Sequence, residues 1–217
     1  MQQDDAANPA MLWVAEGAAK WSERPALDAR SCADCHGDAT VSMRGVAARY
    51  PMFDVQSGSV LDLQGRINQC RTARQSAPAL AHESDLLLAL VSYVALQSRG
   101  LPITPPEDPR LDIPRERGRQ FFLRRQGHLD LACANCHDDN WGRKLGGSTV
   151  PQAHPAGYPI YRLEWQTMGS VQRRFRNCLT GIRAEPYEFG APEYVELELY
   201  LMWRARGMPM ESPGVRP

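Results

Sequence analysis

Two short runs in the chain carry thiols and an imidazole at the same spacing: Cys32-Ala-Asp-Cys35-His36 and Cys133-Ala-Asn-Cys136-His137. Cys-x-x-Cys-His is the attachment signature for c-type haem. The spacing lets two thioethers hold the porphyrin edge while the histidine turns under the ring as the proximal iron ligand. A zinc ribbon would bring its two Cys-x-x-Cys knuckles closer together, usually within about twenty residues. A redox dithiol would precede a helix in a βαβ pattern, which this sequence lacks. Two occurrences therefore predict two covalently bound haem c groups, tethered by Cys32, Cys35, Cys133 and Cys136, with His36 and His137 as axial ligands.

Two cysteines remain, Cys70 and Cys178. They could be buried free thiols, or a disulfide in an oxidising compartment. The reading favoured by their equivalent placement makes each the distal ligand of its own haem, in place of the methionine usual in electron carriers. Met43, Met52 and Met168 have no counterparts in the other half, and neither do His82, His128 and His154. An arginine stands four residues before each cysteine, Arg66 and Arg174. On a helix, residues four apart share a face, so each guanidinium is expected beside its sulfur, favouring thiolate. Around Cys178 the cations are dense, with Arg173, Arg174, Arg176 and Arg183. Most of that run reads as a solvated helix face. Arg174 stands apart because its spacing repeats, and its planar fork of donors suits a small oxyanion. Thiolate ligation lowers a haem potential and gains a pure electron carrier little, so sulfur beside arginine points to chemistry on a small sulfur anion.

The elements that must position these residues repeat as well. Cys32 and Cys133 are 101 residues apart, as are Gly17 and Gly118. Trp21 and Phe122 each follow their glycine by four, suiting an N-terminal helix crossed closely by the last helix of its half. Arg66-Ile-Asn-Gln-Cys70 matches Arg174-Phe-Arg-Asn-Cys178, and Gly100-Leu-Pro-Ile103 matches Gly207-Met-Pro-Met210. Apolar residues at helical spacing predict helices over 85–98 and 192–206. Between the halves, Pro102, Pro105, Pro106, Pro109 and Pro114 predict a semi-rigid connection. The expectation is an all-α chain of two tandem cytochrome c-like domains related by internal duplication: 1–100, a proline-rich linker over 101–114, and 115–217. Each half is near the size at which a protein core alone is marginal, so haem would complete it.

Composition narrows the function classes. Of 217 residues, 43% are hydrophobic and 23% charged, with 25 basic and 25 acidic side chains. Zero formal charge argues against a nucleic-acid binder and a polybasic membrane anchor. No apolar run approaches the twenty residues of a membrane span. Haem is stitched to Cys-x-x-Cys-His outside the bacterial cytoplasm, so the periplasm is expected. Met1-Gln-Gln-Asp-Asp shows no basic or apolar signal segment, and the sequence is expected to be a mature form.

Residues 158–186 and the tail carry a family resemblance. Tyr158-Pro-Ile-Tyr161-Arg162, Trp165-Gln166, Gly169-Ser170, Arg173 to Cys178, Arg183-Ala-Glu-Pro186, Leu197 to Leu201 and Pro213-Gly-Val-Arg216 resemble SoxA, the larger subunit of the SoxAX cytochrome of bacterial sulfur oxidation. The likeness runs from about residue 10 to the end and matches the dihaem branch. It implies an oxidative thiosulfotransferase, an L-cysteine S-thiosulfotransferase, that joins thiosulfate to a cysteine of the carrier SoxYZ while electrons leave through haem. It further implies that His36 and Cys70 ligate the first haem, and His137 and Cys178 the second. Cys178 would be the sulfur-accepting residue, as a persulfide, and Arg174 the thiosulfate-binding one. The cytochrome SoxX would bring another haem and complete the site, and an electron-accepting cytochrome would take the electrons. Two other readings remain at this point: a dihaem electron carrier with His/Met ligation, and a thiosulfate dehydrogenase forming tetrathionate.

Overall fold

The structure is a computed structural model describing residues 1–217. In its first half, α1 (Ala10–Ser22) leads into a five-residue helix α2 (Cys32–His36), a turn of helix α3 (Ala39–Ser42), and a hairpin of β1 (Met52–Asp54) and β2 (Ser59–Leu61). Helices α4 (Leu63–Arg74) and α5 (Asp85–Leu96) complete it. The second half runs through α6 (Asp112–Leu123), α7 (Cys133–His137), and a two-residue hairpin of β3 (Lys144–Leu145) and β4 (Ser148–Thr149). It continues with β5 (Ile160–Arg162), β6 (Thr167–Gly169), α8 (Val171–Gly181), α9 (Pro192–Arg204) and β7 (Gly214–Arg216).

The all-α expectation is corrected: the chain is mostly helical, with three small sheets added. β5 is the central strand of the largest, pairing antiparallel with β6 and parallel with β7. Every strand is two or three residues long, too short to show the period-2 alternation by which a strand is read from sequence. The helices predicted over 85–98 and 192–206 are present as α5 and α9, each ending two residues earlier.

Each half is built on one helix crossing. A Cβ on Gly17 would overlap the carbonyl oxygen of Ala89 in α5, and one on Gly118 would overlap that of Glu196 in α9. The two glycines thus set how closely α1 approaches α5 and α6 approaches α9. Next to each crossing an aromatic pair packs: Trp21 with Tyr93 at 5.9 Å between ring centroids, and Phe122 with Tyr200 at 5.6 Å. Offset aromatic pairs at such distances add to burial.

The connection over 101–114 is packed against both halves. Thr104 N donates to Ala48 O at 2.9 Å, and Ile103 is almost wholly buried. A 3₁₀ turn at Pro109–Leu111 runs into α6, which starts at Asp112, inside the connection. Pro114 is accommodated because the first turn of a helix has no intrahelical partner for that N–H. The matching Gly-x-Pro-x segments pair with one another: Gly100 N donates to Met210 O (2.8 Å) and Gly207 N to Ile103 O (2.8 Å). Likewise Ile103 N donates to Met208 O (2.8 Å) and Met210 N to Leu101 O (2.9 Å). Each donor–acceptor relation on one side recurs with the sides exchanged.

A second tie joins the helices that bear the two remaining cysteines. Asp62 caps α4 by accepting from Gly65 N at 2.7 Å, and its other oxygen accepts from the fully buried Gln172 of α8 at 2.8 Å. Gln172 in turn accepts from Gly190 N at 2.7 Å.

Candidate functional site

Local sequence explains why both Cys-x-x-Cys-His runs are helical. Ser31 and Asp34 form a capping box on α2: Asp34 N donates to Ser31 Oγ (3.0 Å) and Ser31 N to Asp34 Oδ2 (2.9 Å). On α7 Asn135 plays the second part alone, accepting from Ala132 N at 3.0 Å. A turn of helix puts both thiols of a pair on neighbouring faces and the histidine at its end. His137 Nδ1 lies 2.6 Å from the Pro151 carbonyl oxygen. A carbonyl only accepts, so Nδ1 carries the proton and Nε2 is left with its lone pair for a metal. His36 packs instead on Trp21, 5.8 Å between rings, whose Nε1 donates to Gly37 O at 2.9 Å.

The structure brings each remaining cysteine to its own tether pair. Cys70, on α4, acts electrostatically on Cys32 and is acted on by Cys35. Cys178, on α8, stands in the same relation to Cys133 and Cys136. No two of the six cysteines are bonded to each other. In the second half, two thiols on a short helix, an imidazole whose Nδ1 is already engaged, and the neighbouring Cys178 form a donor set that would suit a tethered haem.

Burial and arginine act on these sulfurs in opposite directions. Burial pushes the Cys178 thiol up, more than Arg174 and Arg162 pull it down, and burial likewise raises Cys70 against Arg66 and Arg74. Cys178 is nevertheless accessible to solvent at its surface. Low local dielectric disfavours the anion there, so these guanidiniums temper the cost of a thiolate without supplying one.

Arg66 and Arg174 stand at matching positions on α4 and α8 yet do different things. Arg66 donates to Asp54 Oδ1 (2.9 Å) and Tyr50 Oη (3.1 Å), and contacts Gln69 Oε1 as well. Arg174 faces only the carboxylate of Glu164, at 3.7 Å. Arg173 and Arg176 are engaged elsewhere. Arg173 donates to Met168 O (3.2 Å) and stacks on Trp165 (4.5 Å to the ring centroid). Arg176 donates to Tyr187 O and stacks on Phe189 (4.8 Å).

The sequence reading of candidate residues missed Arg162 and Tyr158. Both feel the charges of Cys178 and Arg174. Burial pushes the Tyr158 phenol up to about 12, so it remains a neutral hydroxyl at this site. Their only signal was membership of the quoted Tyr158–Arg162 stretch, since they arrive from β5 and the residues just before it, not from the cysteine helix.

The SoxA/TsdA cytochrome c domain model matches residues 16–103. The L-cysteine S-thiosulfotransferase subunit SoxA of Rhodovulum sulfidophilum is 35% identical over 216 residues, spanning 100% of this chain and 75% of that protein. The chain belongs to the SoxA family. The SoxA subunit of Pseudaminobacter salicylatoxidans is also 35% identical, over 99% of this chain and 76% of its own. The crystal structure of SoxXA from P. pantotrophus superposes with a TM-score of 0.95 at 33% identity, covering 100% of this chain and 81% of that one. As a SoxA-family cytochrome c, the chain carries covalently bound haem c. No helix is long and apolar enough to cross a membrane.

Proposed function

We propose that this chain is the thiosulfate-conjugating subunit of a periplasmic L-cysteine S-thiosulfotransferase, working with a SoxX-type cytochrome on a SoxYZ-type carrier. The observation that carries this reading is the asymmetry of the matching arginines. Arg66 is consumed by Asp54 and Tyr50, whereas Arg174 faces Cys178 with one partly exposed carboxylate as its partner. An electron carrier has no need of a free guanidinium in the cleft of a single cysteine. The family relatives named as thiosulfotransferase subunits support the same conclusion.

The site residues divide the work as follows. Arg174 binds the sulfonate end of thiosulfate through its fork of donors. That leaves the sulfane sulfur toward Cys178 Sγ, the sulfur-accepting atom of a covalent mechanism. Tyr158, neutral and close, gives a hydroxyl donor to the developing charge. In the net reaction a carrier thiol and thiosulfate form one sulfur–sulfur bond, releasing one proton and two electrons. Bound haem supplies the redox capacity, one electron per iron, and keeps a coordinating thiol deprotonated. Since two electrons leave, a second centre is needed near the first, which is the place of the SoxX-type subunit and then of an electron-accepting cytochrome.

Two haems are assigned, with Cys32, Cys35 and Cys133, Cys136 as tethers, and His36/Cys70 and His137/Cys178 as axial pairs. The two-domain division, 1–100 and 115–217 about the 101–114 connection, is read as an internal duplication. Its support is the matching glycine crossings and the reciprocal pairing of Gly100–Ile103 with Gly207–Met210. The test is reconstitution of the haem-loaded heterodimer with carrier, thiosulfate and an electron acceptor. A carrier gaining the mass of one thiosulfate is expected. Tetrathionate formed without carrier would replace this reading by a thiosulfate dehydrogenase. Intact mass of the same preparation counts the haems.

A further inference from the structure

Arg162 lies on the central strand β5 with its side chain only 11% exposed. Its Nε is 2.8 Å from Glu164 Oε1, but the N–H does not point along that line, so a buried donor is left without a hydrogen bond. The same oxygen, Glu164 Oε1, is 3.7 Å from Arg174 Nη1. One carboxylate oxygen thus stands between two guanidiniums, and both guanidiniums act on Cys178.

Arg162 is held against Trp165 (5.3 Å to the ring centroid), a ring that also carries Arg173 (4.5 Å). Gly169 leaves room for that ring, since a Cβ there would meet Trp165 Cζ3 at 2.5 Å. Glu164 sits in the β5–β6 turn, where Trp165 N and Gln166 N both donate to Arg162 O, at 3.0 and 2.8 Å. Its side chain is 47% exposed, so it can turn out to water at little desolvation cost. A single carboxylate neutralises one of two positive charges. A dianion of tetrahedral shape would neutralise both and give the unaligned Arg162 donor an acceptor.

We propose that Arg162 and Arg174 form a two-armed clamp for a tetrahedral dianion, and that Glu164 is its resting counter-ion, displaced when the dianion enters beside Cys178. This rests on the reading that thiosulfate reacts at Cys178, and it adds the second arm and the occupant it must expel. Arg162 is a binding residue of the clamp, Glu164 its internal competitor. No bond is made or broken in the exchange: a carboxylate moves to water and a dianion takes its place.

The test is equilibrium titration of the haem-loaded heterodimer with thiosulfate, and separately with sulfate and nitrate, by calorimetry. Glu164→Gln is expected to tighten thiosulfate and sulfate by about two- to fivefold, the range of one partly screened ion pair. Arg162→Gln is expected to weaken both by about tenfold, as for loss of a charge-assisted hydrogen bond. Arg162→Lys should recover part of that loss, which a purely structural role of the guanidinium would not produce. Nitrate, a monoanion, should bind more weakly than either dianion and respond less to both changes. Unchanged dianion affinity in Glu164→Gln and Arg162→Gln overturns the clamp while leaving conjugation at Cys178 standing. Normal clamp behaviour with no thiosulfate transferred to carrier overturns that reaction and leaves the clamp.

Discussion

Arg174 faces Glu164 across 3.7 Å, and no other carboxylate engages it. Its counterpart Arg66 is bound within 2.9 Å of a carboxylate that is itself buried, Asp54, with Tyr50 closing the other side. On the proposed function, the same helical position serves a ligand in one half and the fold in the other. Arg174→Ala is expected to lower kcat/KM for thiosulfate by about ten- to a hundredfold, with Tm moving by less than about 2 °C. Arg66→Ala should do the reverse, lowering Tm by about 2–6 °C and leaving thiosulfate kinetics within twofold or so of wild type. Thermal melts and steady-state assays on both variants check the pair.

The two distal cysteines should separate in the same way. Cys178→Ala is expected to reduce carrier conjugation by about three orders of magnitude or more, as for loss of a covalent nucleophile. Cys70→Ala should leave more than about a tenth of the activity while changing the absorption spectrum of the first haem. Spectra and product mass on each purified variant decide the matter. Equal losses from both cysteines would remove the assignment of the second half as the reacting one.

At the helix crossings, Gly17→Ala and Gly118→Ala each force a methyl group against a main-chain carbonyl, of Ala89 and Glu196. Overpacking of this kind costs about 1–3 kcal/mol, and both variants should melt earlier. Gly147→Ala, at a position with open space around the added carbon, is the matched control with no expected change. Denaturant unfolding followed by tryptophan fluorescence gives the comparison.

Stability should also fall with rising pH through one enclosed carboxyl. Burial, then the charge of Asp62, raises Glu198 well above the ordinary glutamate range, with Gln172 opposing weakly. An unfolded glutamate titrates near about 4.3. Below that value both states hold the proton and Glu198 costs nothing. As pH climbs from there through the raised folded value, the unfolded chain releases its proton first and the folded state loses stability. Glu198→Gln removes this dependence, so its Tm should exceed that of wild type at neutral pH and converge with it near pH 4. A wild-type advantage that grows with pH would contradict the assignment.

The chemistry was legible in the sequence wherever it lay on one helix. Cys32, Cys35 and His36 are a local pattern, and Arg174 with Cys178 is a helical repeat, so spacing alone places them together. Arg162, Glu164 and Tyr158 were not legible from spacing, because they come from a three-residue strand, its turn and the segment before it, joined to Cys178 only by the tertiary fold. The setting of the two sulfurs was half legible for a similar reason: a neighbouring cation is visible as a letter four residues away, but the burial that opposes it is not. The small sheets escaped because two or three residues carry no periodicity. The helix crossings were readable because Gly17 and Gly118 leave the same mark twice.

The seam between Gly100–Ile103 and Gly207–Met210 has a historical consequence. Each segment presents to the other the groups that the other presents to it, which is the self-complementary geometry of a two-fold interface. A single half therefore already owns both faces of the seam and could close it with a second copy of itself. Under the duplication proposed above, the ancestor would have been a symmetric pair of one-haem subunits, fused later end to end. Fusion would then have freed the halves to diverge, one keeping its arginine for architecture and the other turning it toward the proposed ligand.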